Sequence, residues 1–211
     1  MNHIAILLTV FNRKEKTIKR LRNITAQSLP ADTKFDIYIV DGGSTDGTVE
    51  SVKTQFPHVN IKTVDGVFWN RGMIEAWKMA EEKKRNGCNY DYYLWLNDDT
   101  FIYKDCIASL LRVSLLKKNR TIVLGSTVDT QTRSKLTYGG RDKTGKVARP
   151  SSDDSPVPVI MMNGNIVLVP HSVYKKLGTL DPYYTHARGD FDYGLRARKA
   201  CLLYTSPSPR D

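Results

Sequence analysis

The 211-residue chain is long enough for one domain that buries roughly 70% of the surface its unfolded form would expose. Its 40% hydrophobic and 26% charged residues are ordinary for a globular protein, and no apolar run approaches the roughly 18 residues of a membrane span. The formal charge of +10 favours acidic partners such as phosphorylated small molecules or an anionic membrane surface, but no nucleic-acid motif accompanies it, so nucleic acid is not expected.

In chain order, apolar runs alternate with helical patterns. "HIAILLTV" (3–10) reads as a buried first strand rather than a signal peptide, because it has no basic leader and no cleavage site. Residues 14–28 carry Ile18, Leu21 and Ala26 at helical spacing. "FDIYIVD" is a second strand ending on Asp41, "GGSTDGT" a turn, Thr48 to Phe56 a helix and "NIKTVD" a third strand. Gly72 to Lys84 predicts a helix, with Met73, Ala76, Trp77 and Ala80 on one face. "YYLWLND" is a fourth strand, 104–117 a helix and "TIVLGST" a fifth strand. This order predicts an α/β fold with a mostly parallel sheet flanked by helices.

Past Ser126 the rhythm breaks. Residues 129–158 predict a hairpin and a mobile loop, "VIMMNGNIVLVP" a strand pair, "HSVYKKLG" a short helix and "GDFDYGLRARKA" a last helix. That leaves a small antiparallel element in the C-terminal half. Residues 1–200 are expected to form one domain, with a nucleotide-binding half (1–100) and an acceptor and catalytic half (101–200). The tail "CLLYTSPSPRD" (201–211) has no packing pattern and is set aside as a non-native-looking extension after Ala200. The three cysteines, Cys88, Cys106 and Cys201, lack metal-type spacing and are odd in number, which suits a reducing cytoplasm.

Three motifs leave the C-terminal ends of predicted strands, the edge where open α/β sheets bind ligands. "TVFNR" holds Thr9, Phe11, Asn12 and Arg13. "DGGSTDGT" starts with Asp41, an acceptor for a ribose hydroxyl or base N–H, and Gly43 permits close backbone approach; a glycine turn with a helix cap explains the same letters. "LNDDT" carries Asn97, Asp98 and Asp99; the acids suit a Mg²⁺ or Mn²⁺ that bridges a diphosphate, or Asp99 or Thr100 caps the next helix. Arg71 stands just before a helix, where a guanidinium can meet a phosphate. Trp69 and Trp77 read as core, and His186 alone is a weak metal candidate. Asp190 and Asp192 open the last helix; one of them suits a general base, and both suit the helix dipole.

Six segments in this order resemble the family 2 glycosyltransferases with the GT-A fold: 7–13, 40–48, 70–77, 95–100, 163–170 and 189–200. The resemblance implies inverting hexosyl transfer from a nucleoside-diphosphate sugar to an acceptor hydroxyl on a glycan or lipid-linked acceptor. By that resemblance Thr9, Phe11 and Asn12 line the nucleoside pocket and Asp41 holds the base or ribose. Asp99 is the metal ligand, Asp190 the general base and Arg196 the basic residue ending the base motif. Asn97 stands where the D-x-D pattern has its first acid, and Gly189 where many members carry an acid. The implied setting is cell-surface polysaccharide or glycolipid synthesis, in the cytoplasm or at the inner face of the membrane. A sugar-1-phosphate nucleotidyltransferase is disfavoured, since "TVFNRKEK" lacks the glycine-rich loop; a non-catalytic nucleotide-sugar binder is the other alternative.

Overall fold

A computed structural model describes residues 1–85, 87–132, 135–149, 151, 155–200 and 202–205. The first half runs β1 (Asn2–Val10), α1 (Lys14–Thr25), β2 (Thr33–Asp41), α2 (Thr48–Gln55), β3 (Asn60–Thr63), α3 (Trp69–Arg85) and β4 (Tyr92–Leu96). The second half runs α4 (Cys106–Leu116), β5 (Ile122–Leu124), β6 (Thr127–Val128), β7 (Leu136–Tyr138), β8 (Gly140–Arg141), β9 (Val157–Pro158), β10 (Met161–Met162) and β11 (Ile166–Pro170). It ends with α5 (His171–Leu177), α6 (Gly189–Lys199) and β12 (Leu203–Thr205).

The main sheet has the order β3-β2-β1-β4-β11-β5-β12-β9. β1 to β4 run parallel, while β11 is antiparallel to both β4 and β5. Because β1 is buried on both faces, its sequence is a continuous apolar run. Ala5 and Leu7 point to a core shared with α3, α5 and α6. Ile4, Ile6 and Leu8 point to one shared with α1, α2 and α4. The helical spacing of α3 does what it predicted: Met73, Ala76, Trp77 and Ala80 are all fully buried. The expected small antiparallel pairs are β6–β7 and β8–β10.

This topology sets up the site. The C-terminal ends of β1, β2 and β4 share one edge, and antiparallel β11 brings its own start, with Asn163–Asn165 before it, to that edge.

Three local expectations change. α3 begins at Trp69, so Arg71 lies inside its first turn rather than ahead of it. α4 begins at Cys106 behind Asp105, with no side-chain cap, so neither Asp99 nor Thr100 caps it. In the tail, Leu202 is buried and β12 pairs with β5 and β9, so this segment does pack; Cys201 and 206–211 lie outside the described residues, as do 133–134, 150 and 152–154 of the expected hairpin and loop.

Candidate donor cleft and acidic site

Two loops are stapled together at the sheet edge. Asn12, in the left-handed conformation that asparagine tolerates, accepts from the Thr45 amide through Oδ1 (2.8 Å). Its own amide donates to Ser44 Oγ (2.8 Å). Asp46 accepts from the amides of Lys14 (2.9 Å) and Thr48 (3.0 Å), tying the starts of α1 and α2. Its bond from the Thr48 hydroxyl holds its carboxyl below the usual carboxylate range. Asp41 is fully buried; Oδ2 accepts from the amides of Gly43 (3.1 Å) and Ser44 (2.9 Å), while Oδ1 has no partner among the described residues. Gly43 needs its glycine, with φ at 97° and Asp65 against the place of a Cβ.

A cleft of about 810 Å³ opens above this edge. Phe11, Gly42, Val67 and Phe68 line one end, and Trp69, Asn163, Gly164 and Asp190 the other. Arg13, Asp98 and Asp99 lie along it as well. α3 sits close to β1 because Gly72 leaves room for Thr9, whose Cγ2 is 2.5 Å from where a Cβ would stand.

Arg13 answers the repelling acids at the tip of β4. Its Nη1 donates to Asp98 Oδ1 (2.9 Å) and reaches Asp99 Oδ2 at 3.4 Å. Burial pushes the Asp98 carboxyl up; Arg13 opposes that and Asp99 adds to it. Behind the pair lies fully buried Arg20, whose guanidinium burial pushes down to about 10 against the pull of Asp98 and Asp99. Asn97 Oδ1 is taken by the Trp69 indole N–H (2.9 Å). Half-exposed Asp99 meets Arg13 through Oδ2 alone, and the more buried Asp98 through Oδ1 alone. That donor set fits a Mg²⁺ or Mn²⁺ held by one carboxylate, with phosphate oxygens and water completing the shell.

Asp190 sits in the first turn of α6. Its carboxylate accepts from the amides of Gly164 (2.9 Å) and Phe191 (2.9 Å). Burial pushes its pKa up, and those two amides oppose the rise. Gly189 next to it allows the helix to pack on fully buried Asn70: a Cβ there would fall 2.6 Å from Asn70 Cγ. Asn70 is itself held by the carbonyls of Asp181 (2.9 Å) and Tyr184 (2.7 Å). Any side chain at 189 would thus meet Asn70.

Of the residues expected at the site, Thr9, Phe11, Arg13, Asn97, Asp98, Asp99 and Asp190 line one cleft. Asn12, Asp41 and Gly43 do not line it; they brace the loops after β1 and β2 through the hydrogen bonds described above. Arg71 is exposed and does not line it. Asp192 and Arg196 do not line it either. Arg196 Nε donates to Asp192 (2.8 Å), and its other nitrogens donate to the carbonyls of Leu177 (2.7 Å) and Thr179 (2.9 Å), fastening α6 to the end of α5. Trp77 is core, as expected, but Trp69 forms part of the cleft wall. Sequence reasoning missed Arg188, exposed in the cleft with φ at 72°, and Tyr138 from β7. No local signal marks either. His186 lines the cleft against the Phe68 ring, with no other metal-type side chain grouped with it among the described residues. One such group, His3, Asp36 and Cys88, lies at the opposite edge of the sheet, where His3 Nε2 is 3.0 Å from Asp36, outside the cleft.

A family model described as glycosyl transferase family 2 matches residues 5–164. No curated protein sequence matches the chain. Among solved structures, S. aureus TarS 1–349 in complex with UDP-GlcNAc aligns with a TM-score of 0.69 at 13% identity, over 100% of this chain and 59% of that one. The mannosyltransferase PcManGT from Pyrobaculum calidifontis, in complex with GDP-Man and Mn²⁺, aligns at 0.62 and 17% identity, over 99% of this chain and 55% of that one. The chain therefore spans a little over half the length of these neighbours, and the likeness establishes the GT-A type of α/β fold expected from the sequence.

Proposed function

The chain belongs to glycosyl transferase family 2, and on that premise we propose that it moves a sugar from a nucleoside-diphosphate donor to an acceptor hydroxyl with inversion. One observation carries the reading: a single cleft joins an unsatisfied buried carboxylate beneath it, a cation and acid pair along it, and Asp190 at its far end. The nucleoside lies against Phe11 and Gly42, where Asp41 Oδ1 accepts an N–H or O–H. The diphosphate runs past Arg13 and Asp99, and the sugar points toward Trp69 and Asp190. The donors in the neighbouring complexes, GDP-Man and UDP-GlcNAc, support this donor class.

Asp190 takes the proton from the acceptor hydroxyl. The hydroxyl oxygen forms a bond to the anomeric carbon while the bond to the diphosphate breaks, and the electron pair leaves on the diphosphate. A base with its pKa raised by burial suits that proton transfer. Arg13 and Arg188 bring positive charge to the leaving group from the protein. A Mg²⁺ or Mn²⁺ held by Asp99 would add Lewis-acid stabilisation of the same charge. The family resemblance suggests a setting in polysaccharide or glycolipid synthesis, and the +10 charge suits peripheral contact to an anionic inner leaflet. Among the described residues no helix is long and apolar enough to cross a membrane.

Thermal-shift titrations of UDP-, GDP- and dTDP-sugars with and without Mn²⁺ test the reading. One donor should stabilise the protein by about 2.7 kcal/mol at 100 times its Kd. The metal-dependent part should vanish in Asp99→Ala. If no nucleotide sugar raises Tm, the proposal fails.

A further inference from the structure

A second cavity, of about 590 Å³, adjoins the donor cleft and shares Asn97, Asp99, Tyr138 and Asn165 with it. It is lined by the β6–β7 pair, the loop before α4, α4 itself and the start of β11, and is partly open to solvent. The proposed donor has no use for it.

Its lining has three features that point to one kind of ligand. The first is Ser126, only 3% exposed, whose Oγ has no hydrogen-bond partner among the described residues. A buried hydroxyl left unpaired is costly, and a ligand hydroxyl entering the cavity would relieve it. The second is charge. No described lining residue is Lys or Arg; the charged ones are Asp99, on the shared wall, and Asp129. Asp129 is already engaged by the amides of Gln131 (3.1 Å), Thr132 (2.7 Å) and Lys135 (3.0 Å). The Cys106 thiol, pushed up to about 12 by burial, adds no charge. An anionic ligand would meet only acids here. The third is composition: hydroxyls and an amide from Thr100, Ser109 and Asn165 mix with the partly exposed rings of Phe101 and Tyr138. Hydroxyl partners beside aromatic faces suit a sugar ring, with its hydroxyl rim and its C–H faces. Lys19 stands 5.2 Å over the Phe101 ring but is not itself a lining residue.

We propose that this cavity binds a neutral saccharide and, resting on the transferase reading above, that it is the acceptor subsite, which delivers the acceptor hydroxyl across the Asn97–Asn165 wall toward Asp190. The acceptor sugar bound here carries no phosphate or carboxylate.

Saturation-transfer NMR with methyl β-D-glucopyranoside, methyl β-D-galactopyranoside and methyl α-D-mannopyranoside tests this, with glucose 6-phosphate as the anionic probe. Wild type, Ser126→Ala and Phe101→Ala are compared. At least one neutral glycoside should bind wild type and bind Ser126→Ala about tenfold more weakly. The Tm of Ser126→Ala should be equal or higher, because its unpaired hydroxyl is gone; Phe101→Ala should weaken the same probe. Equal binding in all three proteins, no glycoside binding, or comparable binding of glucose 6-phosphate would overturn the proposal. Nucleotide-sugar thermal shifts on the same variants keep the two readings apart. A donor that stabilises all three proteins while no glycoside binds sinks the subsite and leaves the transferase standing. A glycoside lost in Ser126→Ala with no donor binding leaves a saccharide site and removes the acceptor role.

Discussion

Gly189→Ala measures how tightly α6, which carries the proposed base Asp190, is fitted. A Cβ at 189 would overlap Asn70 Oδ1 outright and fall 2.6 Å from Asn70 Cγ, whereas carbon atoms pack best at roughly 3.5–4.0 Å, so well over about 1 Å must open. If Asn70 yields, its bonds to the carbonyls of Asp181 and Tyr184 break, at about 1 kcal/mol each, in addition to overpacking strain of roughly 1–3 kcal/mol. If α6 retreats instead, Asp190 moves with it and its bond to the Gly164 amide lengthens. The expected loss is about 3 kcal/mol, or a Tm lower by about 6–12 °C for a chain of this size. Melting curves of Gly189→Ala, Asn70→Ala and the double variant read it directly. Because Asn70→Ala removes the obstruction, the alanine at 189 should then cost little, a coupling of about 2 kcal/mol. A Gly189→Ala protein melting within about 1 °C of wild type, or strictly additive losses, would refute the steric account of position 189.

Asp190→Asn should lower turnover by about 10²–10⁴-fold while leaving donor-induced thermal shifts intact. The pH–rate profile carries a matching sign. The base works deprotonated and burial raises its pKa, so activity should fall with acid at a pH above that of an ordinary aspartate; a limb at or below the usual carboxylate range would contradict the assignment. Asn97→Asp keeps an acceptor for the Trp69 indole and adds a carboxylate beside Asp98 and Asp99, so calorimetry should find Mn²⁺ bound more tightly. Unchanged affinity would mean that Trp69 removes position 97 from the metal's reach.

The fold was legible because β1, the second half of β2 and β4 are buried on both faces and so read as apolar runs, each ending in a polar motif at the same edge. The order of those motifs was enough to bring Thr9, Asp98, Asp99 and Asp190 into one region. What escaped the sequence depends on direction and on distance along the chain. Asp192 and Arg196 are spaced to pair on a helix whether that face looks at a cleft or at α5, and only packing decides. Arg71 changed side because α3 starts at Trp69, and boundaries are the weakest part of any pattern. Arg13 meets Asp98 across 85 positions, and Arg188 owes its place to a left-handed backbone that nothing in "HARGD" announces. The second cavity rests on strands of two and three residues, too short to show a period.

The strand tip of β4 explains why three adjacent polar residues are not redundant. Asn97 is held by an indole, buried Asp98 by a guanidinium at 2.9 Å, and half-exposed Asp99 by the same guanidinium at the longer 3.4 Å. An acid at every position would place three like charges within a few ångströms, with Arg13 alone against them on the cleft side; the amide at 97 lowers that repulsion and still orients Trp69. Asp99 can face the cleft on one side and the second cavity on the other, since it lines both. A residue on that shared wall stands between the proposed path of the diphosphate, which leaves the anomeric carbon, and the cavity proposed to supply the hydroxyl that attacks it.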